Sequence, residues 1–538
     1  MPGGLLQLAA YGAQNQYLNS NPQFTFFKSV YRRYTNFSME FIRLNHEGPN
    51  ELSVDVSSKI TFKVQRNGDL ISQLYFIFNL PDIYSHYDPT TKIPYKFHWI
   101  KNIGTEILNS VSITIGGQQI DIQYGEWLTI WNELTLSNDK KHGYNEMTAN
   151  LMEYYAPEDV EGTLGIYPTS TLDQNLDLDP ESLIANDFNP YLRPPSISSR
   201  QVYVPLNFWF CRNTGLALPL IALQYQEVQI NIELRPIIDL YTIIETDQDN
   251  PNYLQRVKPN PLRNDQNIAN FTVSGGTEDN TTINRQQAGS IDTDVEINFK
   301  GWGFQPYLDC NYIFLDKEER TKFAQISHEY LIEQTFRQDF KGIIGNKILE
   351  LNLNRLSKQI IWVTKRNDIA ARNDWNNYTN WLDQNQNPSS TVYKNYFTAD
   401  QLQEIASSFI PTRSTNKYFQ KNILREARLL FNGMERQNWR NSTFYNYLQP
   451  YQHSKCIPKT GIYLYSFSHE LEKYQPSGAC NMSRIKRIQL DISTNDIIPK
   501  ISENENLQYQ YLFDVTVYTV NYNVLRIMAG MAGTAFSN

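Results

Sequence analysis

The sequence predicts an all-β protein made of two consecutive β-sandwiches of jelly-roll type, with long loops inserted between strands. Three observations predict it. Short runs in both halves alternate apolar and polar residues with period two. Long helical patterns are few. At 538 residues the chain exceeds what one core ordinarily holds, so two large domains are expected.

In chain order, Ile60, Phe62 and Val64 alternate with Thr61, Lys63 and Gln65, which sends one set inward and the other toward solvent. Asn67-Gly68 follows, a pair that tolerates positive φ and predicts a hairpin turn. Val111, Ile113 and Ile115 repeat the pattern, Gly116-Gly117 turns the chain, and Ile120 and Ile122 return it. Val228, Ile230, Ile232 and Leu234 alternate until Pro236, which has no amide proton for a ladder and closes the first domain. Residues 239–294, rich in Asn, Asp, Gln, Gly and Pro, read as a linker and long loop.

Strand patterning resumes at Val295, Ile297 and Phe299, continues through 312–315, and recurs at Leu349, Leu351 and Leu353 and over 360–363. It returns at Ile485, Ile488 and Leu490, at Val515, Val517 and Thr519, and at Tyr522 and Val524, where Val, Thr and Tyr favour strands. Between these runs lies a polar segment, 365–389, whose Trp375, Tyr378 and Trp381 either pack a large loop onto itself or stand out as contact residues. The closing residues, 526–538, read as a small surface tail.

An apolar fraction of 41% supports well-packed interiors, and the charged fraction of 19% leaves the surface to Asn, Gln, Ser and Thr. A net charge of −8 without a basic run argues against direct contact with nucleic acid, which is held by cations that displace its counterions. Cys211, Cys310, Cys456 and Cys480 are widely spaced, which fits a reducing compartment better than a disulfide scaffold. The first residues lack the pattern of a secretion signal, and no apolar run reaches membrane-spanning length, so a soluble product made in the cytoplasm is expected.

Motifs for chemistry are weak. His328-Glu329 begins like a zinc-protease signature, but Ile332 stands where the second histidine belongs, so a polar network at an interface is the better reading. Asp316, Glu318, Glu319, Arg320, Glu329 and Glu333 crowd the same stretch and suit charge-assisted contacts between subunits. The chain has neither a phosphate-binding G-x-x-x-x-G-K-[ST] loop nor a G-x-S-x-G elbow, and its seven histidines show no ligand spacing. No enzymatic activity, metal or cofactor is expected. Of the six N-glycosylation sequons, Asn270, Asn280 and Asn377 lie in the stretches expected to be most exposed.

Two blocks carry a family resemblance: YGAQNQYLNSNPQFTFFKSVYRRYTNFSME at 11–40 and YIFLDKEERTKFAQISHEYLIEQ at 312–334. Both resemble the major capsid protein of the nucleocytoplasmic large double-stranded DNA viruses, the double jelly-roll family. VYVPLNFWFCRNTGLALPLIALQYQEVQINIELRP at 202–236 is similar to the end of the family's first jelly roll, and PSGACNMSRIKRIQL at 476–490 to the matching part of the second.

The resemblance implies an arm (1–27), a first eight-stranded jelly roll (28–238), a linker and loop (239–294), a second eight-stranded jelly roll (295–525) and a tail (526–538). It implies a homotrimer forming a pseudo-hexagonal capsomer, with neighbouring capsomers tiling an icosahedral shell over an internal membrane. Further implied partners are minor capsid and penton proteins and the viral membrane. The arm would face inward, and Leu5, Leu6, Leu8 and Ala9 would form an amphipathic turn or tuck beneath the first sandwich. Phe24, Phe26, Lys28, Tyr31, Arg32, Arg33 and Tyr34 are the candidate contacts at the base, the basic ones facing carboxylates or lipid head groups. Phe208, Trp209, Phe210, Tyr312, Phe323, His328, Glu329, Tyr330 and Glu333 are candidates for core or subunit packing, aromatic anchors being the usual carriers of interface energy. The loops at about 240–295 and 365–395 would crown the exterior. Rival readings are a minor capsid or penton-type paralogue and a carbohydrate-binding or hydrolysing double sandwich.

Overall fold

The computed structural model describes residues 33–157, 195–272, 302–381, 420–497 and 511–536, apart from 86, 87, 89, 92, 249 and 251, together with isolated positions before 33 and between 500 and 509. The first sandwich contains β1 (Phe37–Asn45), β2 (Ser58–Val64), β3 (Leu70–Leu80), β4 (Leu108–Ile115), β5 (Gln118–Gln123), β6 (Arg200–Pro205), β7 (Val228–Leu234) and β8 (Tyr307–Leu315). The second contains β9 (His328–Ile343), β10 (Asn346–Leu351), β11 (Leu356–Arg366), β12 (Leu424–Phe431), β13 (Met434–Asn441), β14 (Ile462–Ser466), β15 (Ile488–Thr494) and β16 (Phe513–Met528).

The antiparallel sheets of the first sandwich run β1-β8-β3-β6 and β2-β7-β4-β5; those of the second run β9-β16-β11-β14 and β10-β15-β12-β13. Adding eight to each strand number of the first sandwich gives the second, so the two are one jelly-roll topology repeated. Helix α1 (Gly125–Thr135) follows β5, α2 (Lys317–Gln325) joins β8 to β9, and α3 follows β13 as a π-helical stretch, Phe444–Leu448, continued by Gln449–His453.

Alternation builds each core. Phe62 and Ile113 both sit across from Ile230, and Phe62 meets Phe76 of the opposite sheet with ring centroids 6.3 Å apart. In the second sandwich Trp362 lies between Tyr445 and Tyr463, at 4.9 and 5.8 Å. The β4–β5 turn uses Gly116 and Gly117 at φ 57° and 82°, and the β12–β13 turn uses Asn432 and Gly433 at 52° and 81°. Two positive φ values in succession make the turn that matches strand twist, so the same device stands at equivalent places.

The course of the chain departs from the sequence reading in four places. Asn67-Gly68 makes no hairpin: β2 and β3 lie in opposite sheets, and Gly68 passes so close to Tyr312 that a Cβ there would stand 3.0 Å from the tyrosine Cβ. The first part of the expected linker is folded. Tyr241–Ile244 pairs with His98–Trp99, and Tyr241, Ile243, Ile268 and Phe271 are buried in the first core, where Tyr241 stacks on Phe97 at 4.8 Å.

Strand β8, expected in the second domain, runs between β1 and β3 of the first sheet, because Leu308, Cys310 and Tyr312 complete that core. The expected tail is also structured: β16 continues to Met528, and Met531–Thr534 folds back on it and buries Ala532 against the first core. The strand expected at Val295, Ile297 and Phe299 lies outside the described residues.

Candidate assembly site: the interdomain seam and the exposed apolar faces

The seam starts from α1. Trp127, Ile130, Trp131 and Leu134 recur at helical spacing and form one stripe, while Leu128 turns into its own sandwich. The stripe lies on the outward face of the β9-β16-β11-β14 sheet, against Ile361 and Val363 of β11, Ile462 and Leu464 of β14, and Tyr518 and Val520 of β16. This explains the uninterrupted apolar run Ile360, Ile361, Trp362, Val363: alternate residues serve the sandwich core and the seam, so the strand is buried on both faces. Gly125 lets the helix start this low, since a Cβ there would stand 2.1 Å from the Thr105 carbonyl oxygen.

Charged groups lie within the seam. Glu126, 4% exposed, pairs with Lys365 and accepts a 2.8 Å hydrogen bond from the Tyr518 hydroxyl. Burial alone would raise its pKa, but the Lys365 ammonium wins and holds it below the usual carboxylate value. Glu106, behind it, pairs with Arg235 at 3.1 Å, and there burial prevails and raises the pKa. Glu133 is caught between Lys141 at 2.6 Å and Lys459 at 3.0 Å. Burial opposes its ionisation, and the two lysines outweigh that and lower its pKa.

Asp121 of β5 accepts a 3.0 Å hydrogen bond from the Thr335 amide of β9 and one from the Gln123 side chain at 3.2 Å. Burial pushes its pKa up to about 6. Glu333 of β9 holds Arg212 of the first sandwich at 2.8 Å and Lys358 at 2.7 Å, while the Arg212 guanidinium lies 4.3 Å from the Trp131 ring centre.

A loop reaches back from the second sandwich. Asn373, in the left-handed region, donates to the carbonyls of Ile238 and Tyr241 at 2.6 and 2.8 Å, and Trp375 Nε1 donates to the Asp239 carbonyl at 2.9 Å. Arg235 covers the Trp375 ring at 4.4 Å. The aromatic residues of 365–389 thus include a clasp on the other sandwich, the reason being that Trp375 finds there both an apolar bed and an acceptor.

The predicted site residues separate into groups. Phe208, Trp209, Phe210 and Tyr312 are buried in the first core. Phe323, His328 and Tyr330 form a half-buried stack, with ring centroids 5.2 and 6.0 Å apart along it, and Glu329 makes an exposed ion pair with Arg526 at 2.8 Å. Glu333 belongs to the seam. Phe26, Arg33 and Tyr34 are exposed ahead of β1, whereas Phe24, Lys28, Tyr31 and Arg32 lie outside the described residues.

Asn377, expected on an exposed stretch, is 1% exposed, its side-chain oxygen accepting from the Thr379 amide and hydroxyl and its Nδ2 donating to Asp374 and the Trp381 carbonyl. The sequon closes on itself as a buried turn. Asn270 is half-buried and donates to the Asn264 carbonyl at 2.6 Å, and Asn280 lies outside the described residues.

Two apolar surfaces went unnoticed in the sequence. Tyr447, Leu448, Tyr451 and Ile457 line an open groove along α3. Phe37, Met39 and Phe41 stand out from β1, at the margin of the outward face of the β1-β8-β3-β6 sheet. The stripes of α1 and α3 were visible as i, i+3, i+4, i+7 patterns, but each is short and set in a β-rich context. Among the described residues no group of three or more His, Cys, Asp or Glu is placed to hold a metal ion, and no helix is long and apolar enough to cross a membrane.

Comparison with known proteins agrees with this architecture. The family described as major capsid protein N-terminus matches residues 25–282, and that described as large eukaryotic DNA virus major capsid protein matches 319–533. The major capsid protein of Phaeocystis pouchetii virus is 33% identical and that of Pyramimonas orientalis virus 32%, each over 100% of both chains. Among solved structures, a chain of the quasi-atomic PBCV-1 virus capsid is 26% identical, with a TM-score of 0.60 over 96% of this chain and 100% of that one. The Faustovirus major capsid protein, 13% identical, shares the fold with a TM-score of 0.60 over 95% of this chain and 94% of that one.

Proposed function

The chain belongs to the major capsid protein family of large eukaryotic DNA viruses, and from that premise we propose that three copies associate into a pseudo-hexagonal capsomer. Its role is structural: it is a building block of the virion shell. One observation supports the trimer above all others, the repetition of a single eight-stranded topology twice along the chain. Three such chains present six similar blocks, enough to occupy a hexagonal lattice position without six separate chains. The buried seam supports the same reading, because it fixes the orientation of one block on the other before assembly.

The finer assignments follow from this reading. Neighbouring capsomers, minor capsid and penton proteins are the partners, and assembly takes place in the host cytoplasm. The segment before β1 faces the interior, where Lys28, Arg32 and Arg33 meet carboxylates or the head groups of an internal membrane, and Phe24, Phe26, Tyr31 and Tyr34 supply apolar contact. The Phe323–His328–Tyr330 stack and the Glu329–Arg526 pair lie at a subunit contact.

Light scattering coupled to size exclusion, at low micromolar concentration and moderate salt, tests the trimer. A particle of three 62.8 kDa chains is expected. A pentamer would support a penton-type role instead, and a folded monomer that binds sugar would support the carbohydrate-active alternative.

A further inference from the structure

The seam leaves a cleft where it reaches the surface. Its walls are aromatic and come from both sandwiches: Trp131 of α1 and Trp209 of the stretch after β6 on one side of the seam, Tyr522 of β16 and Tyr474 of the loop after β14 on the other. The cleft encloses about 500 Å³ of empty space, its open mouth included, which is the scale of a site for a small organic molecule. Flat aromatic walls favour a planar ring over a flexible chain.

The charges around the cleft do not balance. Glu333 accepts from Arg212 at 2.8 Å and from Lys358 at 2.7 Å. Arg212 is held in place by the Asn207 carbonyl at 3.0 Å and by the Trp131 ring. Nearer the solvent, Glu472 pairs with Lys455. Among the described residues, the ion pairs that involve the lining therefore set three cations against two carboxylates, and a cleft with low-dielectric walls focuses the excess positive charge.

Two polar atoms of the walls, Trp209 Nε1 and the Tyr522 hydroxyl oxygen, are buried with no hydrogen-bond partner among the described residues. An indole N–H can only donate. Burial, and after it the Glu333 charge, push the Tyr522 pKa up to about 12, so this hydroxyl keeps its proton and can donate as well. Buried donors are rarely left unmatched in folded proteins. The excess charge and the unmatched donors call for the same group, an oxygen acceptor that carries negative charge.

We propose that the cleft binds a small ring-bearing monocarboxylate, its ring between the aromatic walls and its carboxylate toward Arg212, Trp209 and Tyr522. The ligand touches both sandwiches of a single chain, so it ties the seam together and does not depend on how many copies assemble.

Calorimetric titration of the purified full chain with naphthoate, naphthylmethanol and naphthylmethylammonium tests this. Naphthoate should saturate at one per chain and raise the melting temperature as its concentration rises, and the ammonium should bind more weakly by about tenfold or more. Leu331→Trp places a large side chain on the half-buried lining position 331 and should abolish binding. Asn213→Asp adds a negative charge to the lining and keeps the acceptor that Asn213 offers the Gly215 amide at 2.9 Å. It should weaken naphthoate about tenfold and leave naphthylmethanol within about twofold. Circular dichroism checks both folds, and should the tryptophan variant fail to fold, the aspartate variant decides. Absence of saturable naphthoate binding, binding unchanged by either folded variant, or an ammonium that matches naphthoate overturns the site.

Discussion

Glu126, in the first turn of α1, accepts a 2.8 Å hydrogen bond from the hydroxyl of Tyr518, a residue of β16 that lies 392 positions away in sequence. The bond closes the two sandwiches on each other at a point from which water is excluded. With Lys365 it gives the carboxylate the partners that burial demands.

Removing one partner should therefore cost more than removing the pair. Lys365→Met leaves a buried carboxylate uncompensated and should destabilise by about 3–5 kcal/mol. Tyr518→Phe removes one hydrogen bond to a charged group, at about 1.5–3 kcal/mol. Lys365→Met combined with Glu126→Gln should recover much of the loss. Urea midpoints at one fixed chain concentration measure all three.

Asp121 gives a pH dependence of defined sign. A carboxyl whose folded pKa exceeds its unfolded one holds its proton more tightly when folded, so its contribution is most favourable at and below 3.8 and is lost as pH climbs through about 6. A two-unit difference corresponds to about 3 kcal/mol. Asp121→Asn, which keeps an acceptor for the Thr335 amide, should raise the melting temperature at pH 7.5 and lose that advantage by pH 4. A gain independent of pH would contradict the assignment.

The seam's packing predicts two steric outcomes. Trp131→Ala deletes a ring held between Arg212 and Trp127 and should cost about 3–5 kcal/mol. Gly125→Ala pushes a methyl group into the Thr105 and Leu108 carbonyls and should cost about 1–3 kcal/mol despite its better helix propensity. Thermal melts of both, compared with an exposed substitution such as Lys140→Ala, check the ordering.

Strands were the most legible elements because alternation and turn chemistry are local. The run from Val228 to Leu234 and the Gly116-Gly117 turn stand where the sequence puts them. Partner choice was not legible. Nothing local in β8 shows that it fills a gap between β1 and β3, or that β2 and β3 lie in opposite sheets across Asn67-Gly68.

Composition misled at two points. The polar stretch after Pro236 hides Tyr241, Ile243, Ile268 and Phe271, which suffice to fold it, and the Asn-rich surroundings of Asn377 form a buried turn. At the candidate site, aromatic anchors such as Trp209 and Phe210 were recognised, but they pack the core of their own sandwich. Of the seam carboxylates Glu333 was named, whereas Glu126 and Asp121 were not, since a lone carboxylate shows its role only when distant partners arrive.

The central claim is that one repeated sandwich, joined within the chain by α1, builds a particle of six similar blocks from three chains. Electron cryo-microscopy of the purified protein tests it most directly. Face-on averages with a hexagonal outline, threefold symmetry and six matching densities are predicted; a fivefold ring, or single particles with two lobes, would contradict it.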